Sequence, residues 1–177
     1  IRQYMEKVRN LEIAIPKGLE KVLRNYQAEG IKWFTQLSAM NMGGVLADDM
    51  GLGKTLQVIA FIHGIKPEKP VLIAAPSALI YNWKREIEKF TPDATSLIIS
   101  GNKEQREQLL SQVNEYEFII TSYPMLRRDT ALYNDIDFSY FFIDEAQYIK
   151  NYKTMNAVSV KKIKADHKFA LTGTPIE

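Results

Sequence analysis

The residues best able to do chemistry lie in a glycine-containing segment, 46–55, which reads LADDMGLGKT. Glycines let backbone amides turn inward around an anion, and a helix that starts directly after them presents its positive N-terminus to that anion. Lys54 would reach the outer phosphates of a nucleotide as a point charge, and the hydroxyl of Thr55 would be a ligand for Mg²⁺. The strict pattern has glycine where this chain has Asp48, and Gly-Lys-Thr alone also occurs in ordinary glycine-rich turns. The segment therefore predicts a phosphate-binding loop only in combination with a second motif.

That second motif lies in the segment 141–147, which reads FFIDEAQ. An apolar strand here delivers two consecutive carboxylates, Asp144 and Glu145, at its carboxyl end, where ligands of open α/β sheets bind. Asp144 could hold Mg²⁺, usually through a water because this ion dehydrates reluctantly, and Glu145 could orient or deprotonate an attacking water. An isolated Asp-Glu pair is more often a solvated turn. The two motifs together, each after a strand, predict a nucleotide site.

A parallel sheet is needed to bring these residues together. Short apolar runs rich in branched and aromatic residues alternate with amphipathic stretches, a pattern that favours an α/β fold with a mostly parallel sheet covered by helices. The predicted strands are 44–47, 71–75, 96–100, 118–121, 138–143 and 169–171.

The periodicity also predicts the helices around the sheet. Ile80, Trp83 and Ile87 recur at helical spacing, which predicts a surface helix over 78–90 with Ser77 placed to cap it. Further helices are expected from after Asn102 to about Val113, over 152–163, and, as one or two helices, between Leu19 and Leu37.

Composition limits the other chemistry. The 177 residues are 46% hydrophobic and 25% charged, as in one compact globular domain. The absence of cysteine excludes thiol nucleophiles, disulfide scaffolds and cysteine zinc sites, and fits a reducing compartment. Two histidines, His63 and His167, are too few for a metal cage, and we assign both to packing or to the surface. The longest apolar run, 71–81, is shorter than the roughly 20 residues of a membrane span.

The net charge of +2 and the pI near 8.6 leave the partner open. The charge is unevenly distributed, because the segment 150–168 holds six lysines against the single Asp166. Its local charge of +5 leaves −3 for the remainder. A solvated lysine face is the common explanation of such a run. The alternative is a patch that contacts DNA phosphates through Lys161 and Lys162.

Six segments, in the proper order, closely resemble the Swi/Snf family of DNA translocases in helicase superfamily two. Three of them are the loop 48–55, the box 144–147 with the following 148–151, and the segment 171–177. The others are 23–27, the pair 76–77 with Asn82, Trp83 and Glu86, and 121–123. Asp49 stands where many members have glutamate and Gln147 where many have histidine. The second departure bears on the coupling role of the box, and neither affects its two carboxylates.

The resemblance implies a RecA-like P-loop NTPase lobe over residues 19–177. The resemblance does not cover residues 1–18, which helical spacing of apolar residues predicts to be a helical lead-in. The chain begins at Ile1 without a methionine and stops at Glu177, in the motif that a second lobe follows in this family. We therefore expect the sequence to be a piece of a longer protein.

The resemblance also implies the roles of individual residues. Lys54, Asp144 and Glu145 would be catalytic, with Thr55 and Asp144 as the Mg²⁺ ligands. The nucleotide would be bound by Gln27, Asp49, Met50, Gly51, Leu52, Gly53, Lys54 and Thr55. Coupling to DNA movement would fall to Gln147, Thr172 and Thr174, and DNA contacts to Ser77, Asn82, Thr121 and Ser122.

Several of these residues also have a simpler interpretation. Gln27 has the donor and the acceptor that adenine requires, but it also fits a helix-surface amide. Ser77 is a good N-cap, a role compatible with a phosphate contact. Trp83 fits the core better than a base-stacking platform because it lies on the apolar face of its helix, and the role of Tyr123 is open. The threonines of the last segment also fit a turn.

The function implied by the resemblance is that of the ATP-binding lobe of a double-stranded-DNA-dependent ATPase and translocase that uses ATP and Mg²⁺. Its partners would be duplex DNA, a second RecA-like lobe of the same parent chain and, as a further candidate, a DNA-bound protein complex, with no membrane. Little hydrolysis is expected of this lobe alone, because the second lobe would supply the arginine that is worth about 10³–10⁵ in rate. We expect a nuclear or cytoplasmic protein, in bacteria at the nucleoid, rather than a secreted one.

Two alternatives stay open at this point. One is a lobe of another superfamily-two helicase that acts on RNA or single strands, for which 49–53 and 148–151 are a poor match. The other is a nucleotide-dependent interaction module that has lost turnover. The presence of all four site residues argues against it: Lys54, Thr55, Asp144 and Glu145.

Overall fold

A computed structural model describes residues 1–47, 53–149 and 154–173. Its sheet has six strands, all parallel, in the order β1-β6-β5-β2-β4-β3. The strands are β1 Gly44–Ala47, β2 Val71–Ala75, β3 Ser96–Ile98, β4 Phe118–Ser122, β5 Asp137–Ile143 and β6 Lys164–Thr172. The helices are α1 Arg2–Arg9, α2 Asn25–Ala39, α3 Lys54–Ile65, α4 Ile80–Phe90, α5 Lys103–Leu110, α6 Tyr123–Asp129 and α7 Met155–Lys162. The predicted α/β fold with a parallel sheet between helices is confirmed.

The central strands β2, β4 and β5 are buried on both faces, which is why they consist mostly of apolar residues. All five residues of β2 are buried. On one face, Phe34 of α2 packs edge-on against Phe169 of β6, with ring centroids 5.0 Å apart, and Phe142 of β5 lies beside them. On the other face, Leu126 of α6 packs with Phe141 of β5 and their neighbours in a second cluster. These two clusters fix the helices against the sheet.

The last strand is longer than predicted. Residues 164–168 read KADHK, which is too polar for the predicted strand 169–171 to include them, yet β6 begins at Lys164. The reason is that β1 pairs only with the carboxyl half of β6, from Phe169 to Thr172. The amino half pairs with β5 alone, so one of its edges is open and charged side chains can reach water there.

The helices need three corrections. Helix α4 begins at Ile80 after a 3₁₀ turn over Ser77–Leu79, so its N-cap is Leu79, and the predicted cap by Ser77 is wrong. The helix after Asn102 ends at Leu110 rather than at about Val113. The predicted helix 152–163 corresponds to α7, which ends at Lys162; residues 152 and 153 lie outside the described part of the chain.

The N-terminal lead-in packs on the lobe. Val8 of α1 is buried, and Ile13 and Ile15 contact the same core as Leu19, so packing is continuous across the predicted boundary at residues 18 and 19. The boundary itself stays a prediction. Within the described residues, no helix combines the length and apolar character needed to cross a membrane.

Gly64 tests how tightly the lead-in is held. A Cβ at position 64 of α3 would overlap the backbone carbonyl oxygen of Ala14. Alanine is the better helix former by about 1 kcal/mol, but the overlap must displace the lead-in. We expect Gly64→Ala to lower the free energy of unfolding by about 1–3 kcal/mol, measured by denaturant unfolding. In a variant without residues 1–18 the same substitution should be neutral or stabilising; a loss there as well would show that the contact with Ala14 is not the cause.

Candidate active site

The residues predicted to do chemistry lie close together at the carboxyl edge of the sheet. Strands β1 and β5 flank β6, so the helix that follows β1 and the acidic pair that follows β5 lie on either side of one strand end. A cleft of about 390 Å³ opens there. Its lining residues are Gly53, Lys54, Thr55, Leu56, Leu79, Asn82, Glu86, Phe90, Asp144 and Glu145. The structure thus brings Lys54, Thr55, Asp144 and Glu145 together, as the two motifs required.

Gly53 is required at the start of α3 for two reasons. It is the N-cap residue with a φ of 70°, in the left-handed region that glycine adopts without cost. A Cβ at this position would also overlap the side-chain Nε2 of Gln27. Glycine therefore allows both the turn into the helix and the close approach of α2.

Gln27 is buried beside this loop rather than exposed on the helix surface. Its Oε1 accepts a hydrogen bond from the backbone N–H of Arg24 at 2.9 Å, in a capping box at the start of α2. This bond orients the amide so that Nε2 points at Gly53. The adenine contact stays a prediction, and one lone pair of the Gln27 oxygen is already used within the protein.

Asp144 is a carboxylate that is only 8% exposed. Its Oδ1 accepts from the backbone N–H of Glu145 at 2.9 Å and its Oδ2 from the indole Nε1–H of Trp83 at 2.8 Å. Burial raises the pKa of Asp144 and the Glu145 charge adds to this, while the Trp83 bond and the positive charge of Lys54 act in the opposite direction. Desolvation dominates, so this site favours a cation that would neutralise the carboxylate.

Glu145 follows in a sharp turn with a φ of 50°, a conformation that costs a residue with a Cβ about 1–3 kcal/mol. The turn directs its side chain into the cleft. Gln147 donates a hydrogen bond from Nε2 to Oε2 of Glu145 and accepts one at Oε1 from the hydroxyl of Thr172, at 2.9 Å. A chain of hydrogen bonds therefore joins the end of β6 to the carboxylate at the end of β5.

The acidic wall formed by α4 was not fully predicted. Glu86 lines the cleft, and burial and the nearby Asp144 raise its pKa, while Lys89 lowers it. Asn82, predicted as a DNA contact, lies in the same wall one turn earlier. The four-residue spacing of Asn82 and Glu86 was the signal in the sequence, since it places both on one face of the helix beside Trp83.

The predicted DNA contacts are dispersed. Ser77 is exposed just beyond the end of β2. Thr121 is fully buried, so a contact through its hydroxyl is not compatible with this structure. Ser122 is 3% exposed and caps α6 by accepting from the N–H of Met125, which leaves it little access to DNA. Lys161 and Lys162 are exposed at the end of α7, next to the start of β6 and therefore at the sheet edge opposite the cleft.

Some predicted residues cannot be placed. Asp49, Met50, Gly51 and Leu52 of the loop lie outside the described part of the chain, as does Thr174. The roles assigned to these five residues stay predictions.

The described residues fit a nucleotide with Mg²⁺. Mg²⁺ prefers oxygen ligands, and the hydroxyl of Thr55 and the carboxylate of Asp144 line one cleft. Lys54 lies at the N-terminus of α3, where phosphate oxygens are favoured by the helix dipole as well as by the side-chain charge. Mg²⁺ bound here would neutralise charge on the phosphates.

The burial of Asp144 has a consequence for stability. Because its pKa is raised in the folded protein, the folded state binds this proton more readily than the unfolded state. The stabilising contribution is full below the unfolded pKa and is lost as pH rises through the folded pKa. Without nucleotide and Mg²⁺, the wild type should therefore gain stability relative to Asp144→Asn as pH falls from neutral towards 4, measured by denaturant unfolding at each pH.

Asp93 provides the matched control for this prediction. The hydrogen bond from His63 lowers the pKa of Asp93, so its contribution is present above the unfolded pKa and lost as pH falls. The wild type should lose stability relative to Asp93→Asn in acid, the opposite sign. Equal signs for the two variants would contradict the assignment for Asp144.

Comparison with known proteins agrees with this geometry. The SNF2-related domain family matches residues 26–177. The TATA-binding protein-associated factor mot1 of Aspergillus fumigatus is 33% identical over 195 residues, covering 99% of this chain and 10% of that protein. The ISWI chromatin-remodeling complex ATPase ISW1 of Saccharomyces cerevisiae is 36% identical over 169 residues, covering 92% of this chain and 15% of that protein. An uncharacterised ATP-dependent helicase of Mycoplasma pneumoniae is 43% identical over 159 residues, covering 88% and 15%.

A solved structure has the same fold. The Sulfolobus solfataricus SWI2/SNF2 ATPase core in complex with dsDNA superposes with a TM-score of 0.81 at 37% identity, covering 94% of this chain and 34% of that one. The chain thus spans about a third of this structure and 10–15% of the three relatives above. It belongs to the SNF2-related family, and its fold is that of a RecA-like Swi/Snf-type ATPase lobe.

Proposed function

We propose that this chain is the first lobe of a double-stranded-DNA-dependent ATPase that moves along duplex DNA, and that it turns over ATP only together with a second lobe. The observation that carries this proposal is the single cleft that collects Lys54, Thr55, Asp144 and Glu145. These four residues would be the contribution of this lobe to phosphoryl transfer to water. A cation from a facing lobe would complete the set of groups.

The proposed reaction is attack of water on the terminal phosphate of ATP. Lys54 would hold the phosphates by its charge, and Thr55 and Asp144 would hold the Mg²⁺ that accompanies the nucleotide. Glu145 accepts a hydrogen bond from the attacking water and takes its proton as the bond from the water oxygen to the terminal phosphorus forms. The bond from that phosphorus to the β–γ bridging oxygen breaks, and ADP leaves with the electron pair, so the products are ADP and inorganic phosphate. Gln147 keeps the Glu145 carboxylate in place, since it donates to Oε2 of that residue.

Coupling to DNA movement is proposed to run through Thr172 and Gln147. The hydrogen bond between them joins β6 to the carboxylate that faces the water, so a shift of the segment after β6 would alter Glu145. The duplex itself would lie near the carboxyl edge of the sheet, where Ser77 is exposed. Support for duplex DNA comes from the related Sulfolobus solfataricus core, which is described as a complex with dsDNA. Phosphate contacts of Lys161 and Lys162 would require additional DNA at the opposite edge.

The site assignment can be tested in the intact two-lobe protein. Lys54→Ala removes the phosphate-binding charge and Glu145→Gln the base, and each should lower DNA-stimulated ATP hydrolysis by at least about 100-fold. Lys103→Ala, at an exposed lysine of α5, is the matched control and should leave the rate within about twofold. Unchanged rates for Lys54→Ala and Glu145→Gln would reject the assignment.

The same assay identifies the nucleic acid. Duplex DNA should stimulate the wild-type rate more than single-stranded DNA or RNA of equal length and ionic strength. Preferential stimulation by RNA would favour the other superfamily-two helicases, and nucleotide binding without any stimulated hydrolysis would favour an interaction module.

The isolated chain should hydrolyse ATP hardly at all. The transition-state arginine is proposed to come from the second lobe and is worth about 10³–10⁵ in rate. We expect turnover of the chain alone to lie at least about 10³-fold below that of the intact, DNA-stimulated protein. Comparable turnover would show that this lobe is catalytically complete by itself.

A further inference from the structure

Two buried side chains that have no part in the proposed reaction form hydrogen bonds to Asp144. Trp83 of α4 donates its indole N–H to the carboxylate Oδ2 at 2.8 Å, and Tyr123 of α6 donates its hydroxyl to the backbone carbonyl oxygen of Asp144 at 2.6 Å. The side chains are 1% and 4% exposed. We propose that Trp83 and Tyr123 are positioning residues that fix Asp144 in the orientation in which it binds Mg²⁺ with the nucleotide. The inference rests on the proposed function.

The Trp83 bond determines the rotation of the carboxylate. The backbone N–H of Glu145 binds Oδ1 and the indole binds Oδ2, so the carboxylate plane is held on both sides. A rotation of the group would break both bonds in a site that water reaches poorly. Each oxygen retains a further lone pair, which is available to Mg²⁺ or to its water shell.

The Tyr123 bond holds the backbone of the same residue. The carbonyl of Asp144 belongs to the peptide unit that leads into Glu145, whose φ of 50° is costly for a residue with a Cβ. A buried hydroxyl that donates to this carbonyl keeps the turn in place. The two bonds therefore fix the side chain and the main chain of Asp144 separately.

Packing alone does not account for this arrangement. A buried indole or phenol needs a partner for its polar hydrogen, but any backbone carbonyl nearby would satisfy it. Here donors from two different helices converge on one residue, and that residue is the acid at the edge of the cleft. Residues that orient a metal ligand in this way typically contribute 10–100-fold to metal affinity.

The test uses a fluorescent ADP analogue and the intact two-lobe protein, with the dissociation constant measured in Mg²⁺ and in EDTA. Tyr123→Phe keeps the ring and removes only the donor, whereas Trp83→Phe removes the donor together with part of the ring volume, which the Trp33→Phe control also removes. We expect the dissociation constant in Mg²⁺ to rise about 10-fold for each variant and the constant in EDTA to stay within about twofold. Trp33→Phe is the tryptophan control, and Tyr133→Phe, at a buried tyrosine that does not line the cleft, is the tyrosine control. Both should match the wild type in Mg²⁺ and in EDTA.

The remaining outcomes are distinct. A parallel rise of both constants would mean that the variants only loosen the cleft, and an unchanged constant in Mg²⁺ would mean that neither donor matters; each overturns the inference. Thermal unfolding shows whether Trp83→Phe is folded, and if it is not, Tyr123→Phe decides. A wild type whose affinity does not depend on Mg²⁺ would overturn the proposed function and this inference with it, and it is recognised before any variant is compared.

Discussion

The burial of one carboxylate, that of Asp144, is the constraint on which the site depends. At 8% exposure it cannot be solvated by bulk water, so the protein has to supply its hydrogen bonds. Those donors come from the backbone of the next residue and from α4, and a further donor from α6 holds the main chain. The carboxylate borders a cleft that also contains Lys54, so the cleft offers a negative group to a cation and a positive group to phosphates, as the proposed nucleotide site requires.

The sheet order makes this possible. Because β6 is inserted between β1 and β5, the phosphate-binding helix and the acidic pair are separated by one strand, and the end of β6 reaches both. Thr172 at that end is hydrogen-bonded to Gln147, and Gln147 to Glu145. A displacement of the end of β6 would therefore shift the Glu145 carboxylate. In a sheet with β1 directly beside β5, no strand end would stand between the two motifs to make this connection.

Much of the fold could be predicted from the sequence, because its central strands are buried on both faces and are therefore mostly apolar runs. The part that failed, the amino half of β6, is polar since only one neighbour covers it, and pairing of this kind is not visible in local composition. The acidic pair and Lys54 were found because their chemistry is local in sequence. Trp83 was placed in the core correctly, but its bond to Asp144 joins residues 61 positions apart and no periodicity reveals it. The burial of Thr121 and Ser122 could not be predicted, because a motif gives residue types and not their exposure.

Helices α4 and α6, which border the site, also begin at the surface where a duplex is proposed to lie. Helix α4 follows β2 through the exposed turn at Ser77, and α6 follows β4, so both start at the carboxyl edge of the sheet. Each sends one buried donor inward to Asp144. A force on either helix start would therefore act on the main chain or the side chain of the acid through one hydrogen bond, without passing through the sheet. Under the proposed function, DNA contact and metal binding would share these supports, so a force on either helix start would be transmitted to the residue that is proposed to hold the metal.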